Sequence, residues 1–202
     1  MLYGCLLKIE IEIKLRLPAD FGEIRKKLHR LGFRIHKRRA FESNTLFDDT
    51  KRRLRKHGKL LRVRRSGRQG LLTLKGPSEQ SRYKKRWEME TDIPDSDSLE
   101  RILVQLGYHP VFRYEKFRTE YTRGSAHGKV LLDETPIGNF LELEGRPQWI
   151  ERTTKRLGFS RADYINSSYG YLYLAYCRKR RIAAKDMIFK RRTLPEEAVT
   201  VG

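Results

Sequence analysis

Apolar and ionisable positions alternate along much of this chain, and the alternation changes period where helices are expected. Over residues 7–17 Ile9, Ile11, Ile13 and Leu15 interleave with Glu10, Glu12 and Lys14, and Pro18 ends the run. Period two is the signature of a strand, in which residues i and i+2 share a face. The same habit returns at Arg62/Arg64, Glu88/Glu90, Lys116/Arg118 and Glu142/Glu144, the last pair set among Phe140, Leu141 and Leu143. Strands are expected at 33–48, 59–65, 70–76, 111–121, 128–134 and 138–145, besides those carrying Glu10 and Glu88. Ser66-Gly67, Gly76-Pro77, Gly124-Ser125 and Pro136-Ile137-Gly138 supply turns between them.

Helical spacing takes over in four places. Phe21, Ile24, Leu28 and Leu31 follow Asp20 with Glu23 three residues on, which resembles a capping box. A second helix opens at Asp97, with Glu100 three residues later, and is expected to bury Leu99, Ile102, Leu103 and Leu106. A third runs from Trp149 to Leu157, and a last one from Asn166 to about Arg181 puts Tyr169, Leu172, Tyr173 and Tyr176 on one side. The first three end in Leu-Gly-aromatic: Leu31-Gly32-Phe33, Leu106-Gly107-Tyr108 and Leu157-Gly158-Phe159. The recurrence points to an internal duplication of 8–76 and 84–146.

These elements predict an α+β protein: an eight-stranded antiparallel β-barrel with a polar interior and helices packed outside. One domain over 1–181 would be followed by a loose basic tail, 182–202. A strand face carrying both signs of charge is costly to enclose unless its charges meet one another, a metal or a charged ligand. Two carboxylates ~5 Å apart repel by roughly 3 kcal/mol at an effective dielectric of about 20. Something positive must therefore sit among Glu10, Glu12, Glu142, Glu144 and Asp133. Oxygen donors without His or Cys favour Mg²⁺ or Mn²⁺. Lys14, Arg62, Arg64, Lys75, Lys116 and Arg118 project into the same interior if the alternation holds, and Arg forks with Lys point charges suit phosphate.

Composition sharpens this picture. The chain carries 45 Lys+Arg against 25 Asp+Glu, a net charge of +20. Residues 25–65 alone hold 17 basic and 3 acidic groups, and 178–192 form a second basic stretch. Such a field attracts polyanions. No apolar run approaches the ~20 residues a membrane span needs, and Met1–Leu7 lacks a signal-peptide pattern, so no membrane partner and a cytoplasmic location are expected. Cys5 and Cys177 are read as free thiols of a reducing compartment. His29, His36, His57, His109 and His127 share no spacing that argues for catalysis.

At its charged segments the chain resembles the CYTH superfamily, named for class IV adenylyl cyclases and thiamine triphosphatases and also called triphosphate tunnel metalloenzymes. Glu10-Ile-Glu12-Ile-Lys14 is similar to the family's ExExK signature. The similarity continues through Leu61-Arg62-Val63-Arg64, Leu72-Thr73-Leu74-Lys75-Gly76-Pro77, Arg86-Trp87-Glu88-Met89-Glu90, Lys116-Phe117-Arg118, Leu132-Asp133 and Ile137 to Glu144. The resemblance implies a tunnel in which Glu10, Glu12, Asp133, Glu142 and Glu144 bind Mg²⁺ or Mn²⁺. Lys14, Arg62, Arg64, Lys75, Lys116 and Arg118 would hold a triphosphate, while Glu88 and Glu90 orient those cations. Catalysis would rest on Glu10, Glu12, Lys14, Lys75 and Arg118. The second strand departs from the cyclase pattern: Glu42-Ser43-Asn44-Thr45-Leu46 has no tyrosine. Ser168-Tyr169 resembles the family's Ser-Tyr helix and is read as packing or a tunnel cap.

The implied activity is that of a class IV adenylyl cyclase-like lyase converting ATP to cyclic AMP and pyrophosphate. The alternative is a hydrolase of tripolyphosphate, thiamine triphosphate or a nucleoside triphosphate. A non-catalytic polyphosphate- or nucleotide-binding module is a weaker reading, because gripping polyanions needs few carboxylates. Nucleic acid is at most a secondary partner of the outer basic surface, which lacks interleaved aromatics. The resemblance also leaves a homodimer open.

Overall fold

The computed structural model describes residues 7–79, 81–124 and 128–190. Among them, strands β1 (Lys8–Leu17), β2 (Arg34–Asp48), β3 (Leu60–Ser66) and β4 (Gln69–Lys75) form the first half of the barrel. The second half is β5 (Lys84–Ile93), β6 (His109–Thr122), β7 (Gly128–Thr135) and β8 (Gly138–Gly145). All pairs are antiparallel, and the order β1-β5-β4-β3-β2-β6-β7-β8 closes on itself. Closure leaves no run-through edge, and it forces each strand's two faces to be an inside and an outside. Among the described residues five α-helices lie outside: α1 (Gly22–Arg30), α2 (Arg53–Lys56), α3 (Ser96–Gln105), α4 (Pro147–Leu157) and α5 (Tyr169–Arg180).

The main core lies on the outer face of β1, β7 and β8, where Ile13, Leu15, Val130, Leu132, Leu141 and Leu143 are buried under Leu28 of α1 and Ile150 and Leu157 of α4. Burial of side chains this large contributes about 1.5–3 kcal/mol each, enough to fix which way β1 and β8 face. Glu12, Lys14, Glu142 and Glu144 alternate with these residues and are thereby committed to the inside.

The three Leu-Gly-aromatic helix ends share one geometry. Gly32, Gly107 and Gly158 have φ of 85°, 85° and 91°, a left-handed conformation that favours glycine. The aromatic residue that follows donates its amide to the carbonyl five positions back in each case: Phe33 to Leu28 at 3.0 Å, Tyr108 to Leu103 at 2.9 Å and Phe159 to Thr154 at 3.0 Å.

The helix starts differ from expectation. The Asp20/Glu23 capping box does not form; Asp20 accepts the Gly22 amide at 2.8 Å, while Glu23 pairs with Lys26. Asp95, not Asp97, caps α3 by accepting the Ser98 amide at 2.9 Å. Asp97 and Glu100 instead reach Arg65 on β3 at 2.6 and 3.0 Å. With its entry fixed by Asp95, α3 buries Leu103 and partly Leu99, and Ile102 and Leu106 stay 55% and 68% exposed. Only the stripe nearest β3 finds a partner.

The C-terminal part completes the barrel at one end. Ile165 exchanges backbone hydrogen bonds with Lys14 on the unpaired edge of β1, at 3.0 and 2.9 Å. Met187 does the same for β6, donating to the Arg113 carbonyl and accepting from Glu115, both at 2.9 Å. Residues 182–190, expected to belong to a loose tail, are thus tied down as a strap, with Met187 buried among Tyr114, Ile137, Phe140 and Tyr169. Residues 191–202, the Met1–Leu6 part of the apolar start with Cys5, and His127 with the Ser125 turn lie outside the described residues. Cys177 is a buried free thiol.

Candidate functional site

A cavity runs inside the barrel and is lined by twelve of the thirteen charged residues singled out in the sequence: Glu10, Glu12, Lys14, Arg62, Arg64, Lys75, Glu88, Glu90, Lys116, Arg118, Glu142 and Glu144. The thirteenth, Asp133, has no exposed surface and stands behind the lining. Period-two alternation is what assembles the set, because β1, β3, β5, β6 and β8 each direct two or more of them inward.

The acids gather where β1 meets β8. Glu12 lies opposite Glu144 in the strand register. One carboxylate oxygen from each of Glu10, Glu12 and Glu144 falls within 4.8 Å of the other two. Each acid also touches a cation. Lys75 Nζ donates to both oxygens of Glu10 at 2.8 and 2.7 Å, Lys84 to Glu12 at 2.7 Å and Lys129 to Glu144 at 3.0 Å. Burial pushes the Glu144 carboxyl upward, and Glu10 and Glu12 add to this against the opposing Lys129. For Glu12 burial pulls the same way, but Lys14, Lys84 and Lys75 outweigh it and hold that carboxyl well below its usual range. Three hard oxygen donors converging here, two of them buried and the half-buried Glu144 reluctant to ionise, fit a divalent cation.

Glu142 and Asp133, which the sequence grouped with the metal acids, are engaged elsewhere. Glu142 accepts Lys14 at 3.0 Å and Arg118. Asp133 accepts Arg118 Nε and Nη2 at 2.6 and 2.5 Å, Lys116 at 2.9 Å and the Tyr169 hydroxyl at 2.7 Å. Its oxygens are saturated by groups that themselves line the cavity, so it braces them from behind.

The other wall is cationic. Arg62 donates to the Tyr114 hydroxyl at 3.2 Å, Thr73 Oγ1 at 3.1 Å and Glu90 at 3.4 Å. Arg64 reaches Asn44 at 3.3 Å and Glu42 at 3.5 Å. Burial, then the Arg62 charge, lowers the Arg64 guanidinium below its usual value. Ten Lys or Arg side chains line the cavity against six Glu, so the bore is built for an anion carrying several charges. One stretch of the lining is apolar: Leu46, Leu60 and Phe112, the last ring stacked on Tyr114 at a centroid distance of 5.9 Å.

Several charged positions in or beside the lining were not singled out from the sequence. Lys84 and Arg86 extend the Glu88/Glu90 alternation on β5, and Arg86 Nε stands 3.4 Å from Glu10. Burial brings the Lys84 ammonium down to about 8 despite the attraction of Glu12. Glu42 sits 3.5 Å from Arg64 and 3.6 Å from Lys116, with one oxygen lacking a hydrogen bond. Continuing the period-two count along β2 and β5 would have found all three. Tyr169, read from the sequence as packing or a tunnel cap, is buried, lines the cavity, and has Lys14 and Lys116 Nζ each 5.3 Å from its ring centroid.

The CYTH domain family model matches residues 8–169. A protein of Methanocaldococcus jannaschii named as a candidate adenylate cyclase is 31% identical over 136 residues, covering 67% of this chain and 76% of the relative. Among solved structures, PH1819 of Pyrococcus horikoshii OT3 aligns with a TM-score of 0.70 and 26% identity over 83% of this chain and 99% of its own. A Hippeastrum protein, described as a candidate adenylyl cyclase with a dominant triphosphatase activity, aligns with a TM-score of 0.59 and 16% identity over 87% and 97%. At that identity the likeness concerns the fold alone.

Proposed function

The chain belongs to the CYTH domain family, and from that premise we propose that it is a divalent-cation-dependent enzyme acting on a triphosphate, with ATP cyclised to cyclic AMP and pyrophosphate as its reaction. The observation that carries this reading is one bore holding the Glu10/Glu12/Glu144 group beside a surplus of Lys and Arg. Glu10, Glu12 and Glu144 would hold the cation, which when bound neutralises phosphate charge and polarises the phosphoryl oxygens. Lys14, Arg62, Arg64, Lys75, Lys116 and Arg118 would grip the triphosphate. Glu88, Glu90, Glu142 and, from behind, Asp133 keep those cations aimed into the bore when it is empty of phosphate.

Cyclisation forms a bond from the ribose 3′-oxygen to the α-phosphorus and breaks the bond from that phosphorus to the bridging oxygen. Pyrophosphate leaves with the electron pair, and the hydroxyl proton passes to solvent in the bore. Holding the chain of phosphates extended and charge-compensated supplies most of the rate. Two observations support an organic ester over inorganic tripolyphosphate: the apolar stretch at Leu46, Leu60 and Phe112, and the kinship with the M. jannaschii relative. Hydrolysis is the second reading, favoured by the fact that the charged lining alone accommodates a triphosphate without using that stretch.

A product assay decides. Purified protein with Mg²⁺ or Mn²⁺ is given ATP, GTP, thiamine triphosphate and tripolyphosphate, and orthophosphate, pyrophosphate and cyclic nucleotide are separated. Cyclic AMP with equimolar pyrophosphate is expected. Orthophosphate alone, with tripolyphosphate turned over best, would replace cyclisation by hydrolysis; no turnover of any of them would remove the enzymatic reading.

A further inference from the structure

Over its first nine residues, Tyr169–Cys177, helix α5 carries no charge on either side. Tyr169, Leu172, Tyr173, Tyr176 and Cys177 face the barrel. The helical repeat places Tyr171, Leu174 and Arg178 on the opposite face, where Tyr171 is 63% and Leu174 41% exposed. A helix that is apolar all round is ordinarily covered on all sides. Just beyond it, Ile182 and Ile188 are 51% and 49% exposed. These four are among ten large apolar side chains exposed in the described residues, gathered into fewer than twenty positions.

Cations are interleaved with them. Arg178, Lys179, Arg180, Arg181 and Lys185 are all exposed. The one acid in the stretch, Asp186, is taken by the Arg113 amide at 2.8 Å and the Arg113 guanidinium at 3.1 Å. The patch is therefore apolar and strongly positive at once. We propose that this face of α5 and the following strap is a docking surface for an anionic lipid bilayer, with Tyr171, Leu174 and Ile182 entering the interface and Arg178, Arg181 and Lys185 meeting headgroup charge.

Two features select that occupant. A second copy of this chain would bring two such cationic patches together, within a molecule of net charge +20, and like charge opposes that. Single-stranded nucleic acid takes up cations and aromatic platforms, whereas three of the four exposed apolar residues are aliphatic and give a base nothing to stack on. Aliphatic chains beside Lys and Arg are what an interfacial helix presents to acidic lipid. This contact departs from the expectation of no membrane partner but needs no span: no described helix is long and apolar enough to cross a membrane. It is also independent of the reaction assigned to the bore.

The test is co-sedimentation with vesicles of phosphatidylcholine alone or with phosphatidylserine added, at physiological salt. The wild-type chain should partition onto the phosphatidylserine vesicles and not onto the neutral ones. Tyr171→Ser combined with Leu174→Ser keeps every charge and should weaken that partitioning about tenfold or more, with the thermal unfolding midpoint unchanged. Should the double variant fail to fold, Ile182→Ser carries the same comparison. Absence of binding to acidic vesicles, or equal binding by wild type and variant, overturns the proposal. So does loss of binding to a random RNA oligonucleotide, or of self-association, as the main effect of the substitutions.

Discussion

Asp133→Asn isolates the bracing of the cationic wall from its chemistry. The wild-type carboxylate has no exposed surface and satisfies Arg118, Lys116 and Tyr169 together. Breaking a buried ion pair from one side costs about 3–5 kcal/mol, because the opposite charge is stranded. Here Arg118 keeps Glu142, and Lys116 keeps Glu42 at 3.6 Å. Both cations also border a cavity that admits water, so the lower end applies, about 3 kcal/mol. For a chain of this size that is a fall of about 6–12 °C in the unfolding midpoint, readable by calorimetry and by urea titration. The same substitution should raise KM for the triphosphate about tenfold, since Arg118 and Lys116 lose their common anchor, and leave the Mn²⁺ concentration needed for half-maximal rate unchanged. A stability loss below about 1 kcal/mol refutes the bracing argument. A rise in the Mn²⁺ requirement with KM unchanged refutes it differently, by making Asp133 a metal ligand.

Other consequences follow from the same geometry. Glu144→Gln removes one of three clustered carboxylates, so the metal-free protein should be no less stable, while Mn²⁺ affinity measured by calorimetric titration falls at least about tenfold. Burial pushes Glu42 up, but Lys116, Arg118 and Arg64 outweigh it and hold the carboxyl at about 2. A depressed carboxyl stabilises the fold above its unfolded value and loses that contribution as pH falls, so the wild type should lose about 3 kcal/mol between roughly pH 5 and pH 2 from this group. In Glu42→Gln, urea unfolding across that range should be flatter by this amount. Gly76→Ala would set a Cβ 2.2 Å from the Trp87 ring; the aromatic cannot give way cheaply, and a loss of about 2 kcal/mol or more is expected by urea unfolding, with full stability counting against the close approach.

Much of the site was legible because a strand's period is short and strict. Once Ile13, Leu15, Leu141 and Leu143 are recognised as apolar and committed to an outer core, Glu12, Lys14, Glu142 and Glu144 have nowhere to face but inward. Turn signals and helix-ending glycines then count eight strands, and the three Leu-Gly-aromatic ends close as their sequence requires. Helix entries were less legible. Asp20 and Asp97 offer caps as chemically sound as that of Asp95, yet Asp97 pairs with Arg65 beside Glu100, and Asp20 accepts the Gly22 amide.

Residue type and spacing alone thus indicated which faces of the strands are charged and pointed to a barrel with carboxylates and cations inside; its closure is made by β1 pairing with both β5 and β8. They could not sort the acids. Glu10, Glu12, Glu142, Glu144 and Asp133 are chemically alike, and only the register of β1 against β8, and of β7 against β6, brings three of them to one point and gives Glu142 and Asp133 to Arg118. Nor does any local pattern say that residues 165 and 187 will each supply a missing strand edge, since hydrogen bonds between segments far apart in sequence carry no periodic trace. Alternation acts within a strand; the sorting of the acids into a three-carboxylate cluster and a set paired with Arg118 acts between strands, and it exists only once the barrel has closed.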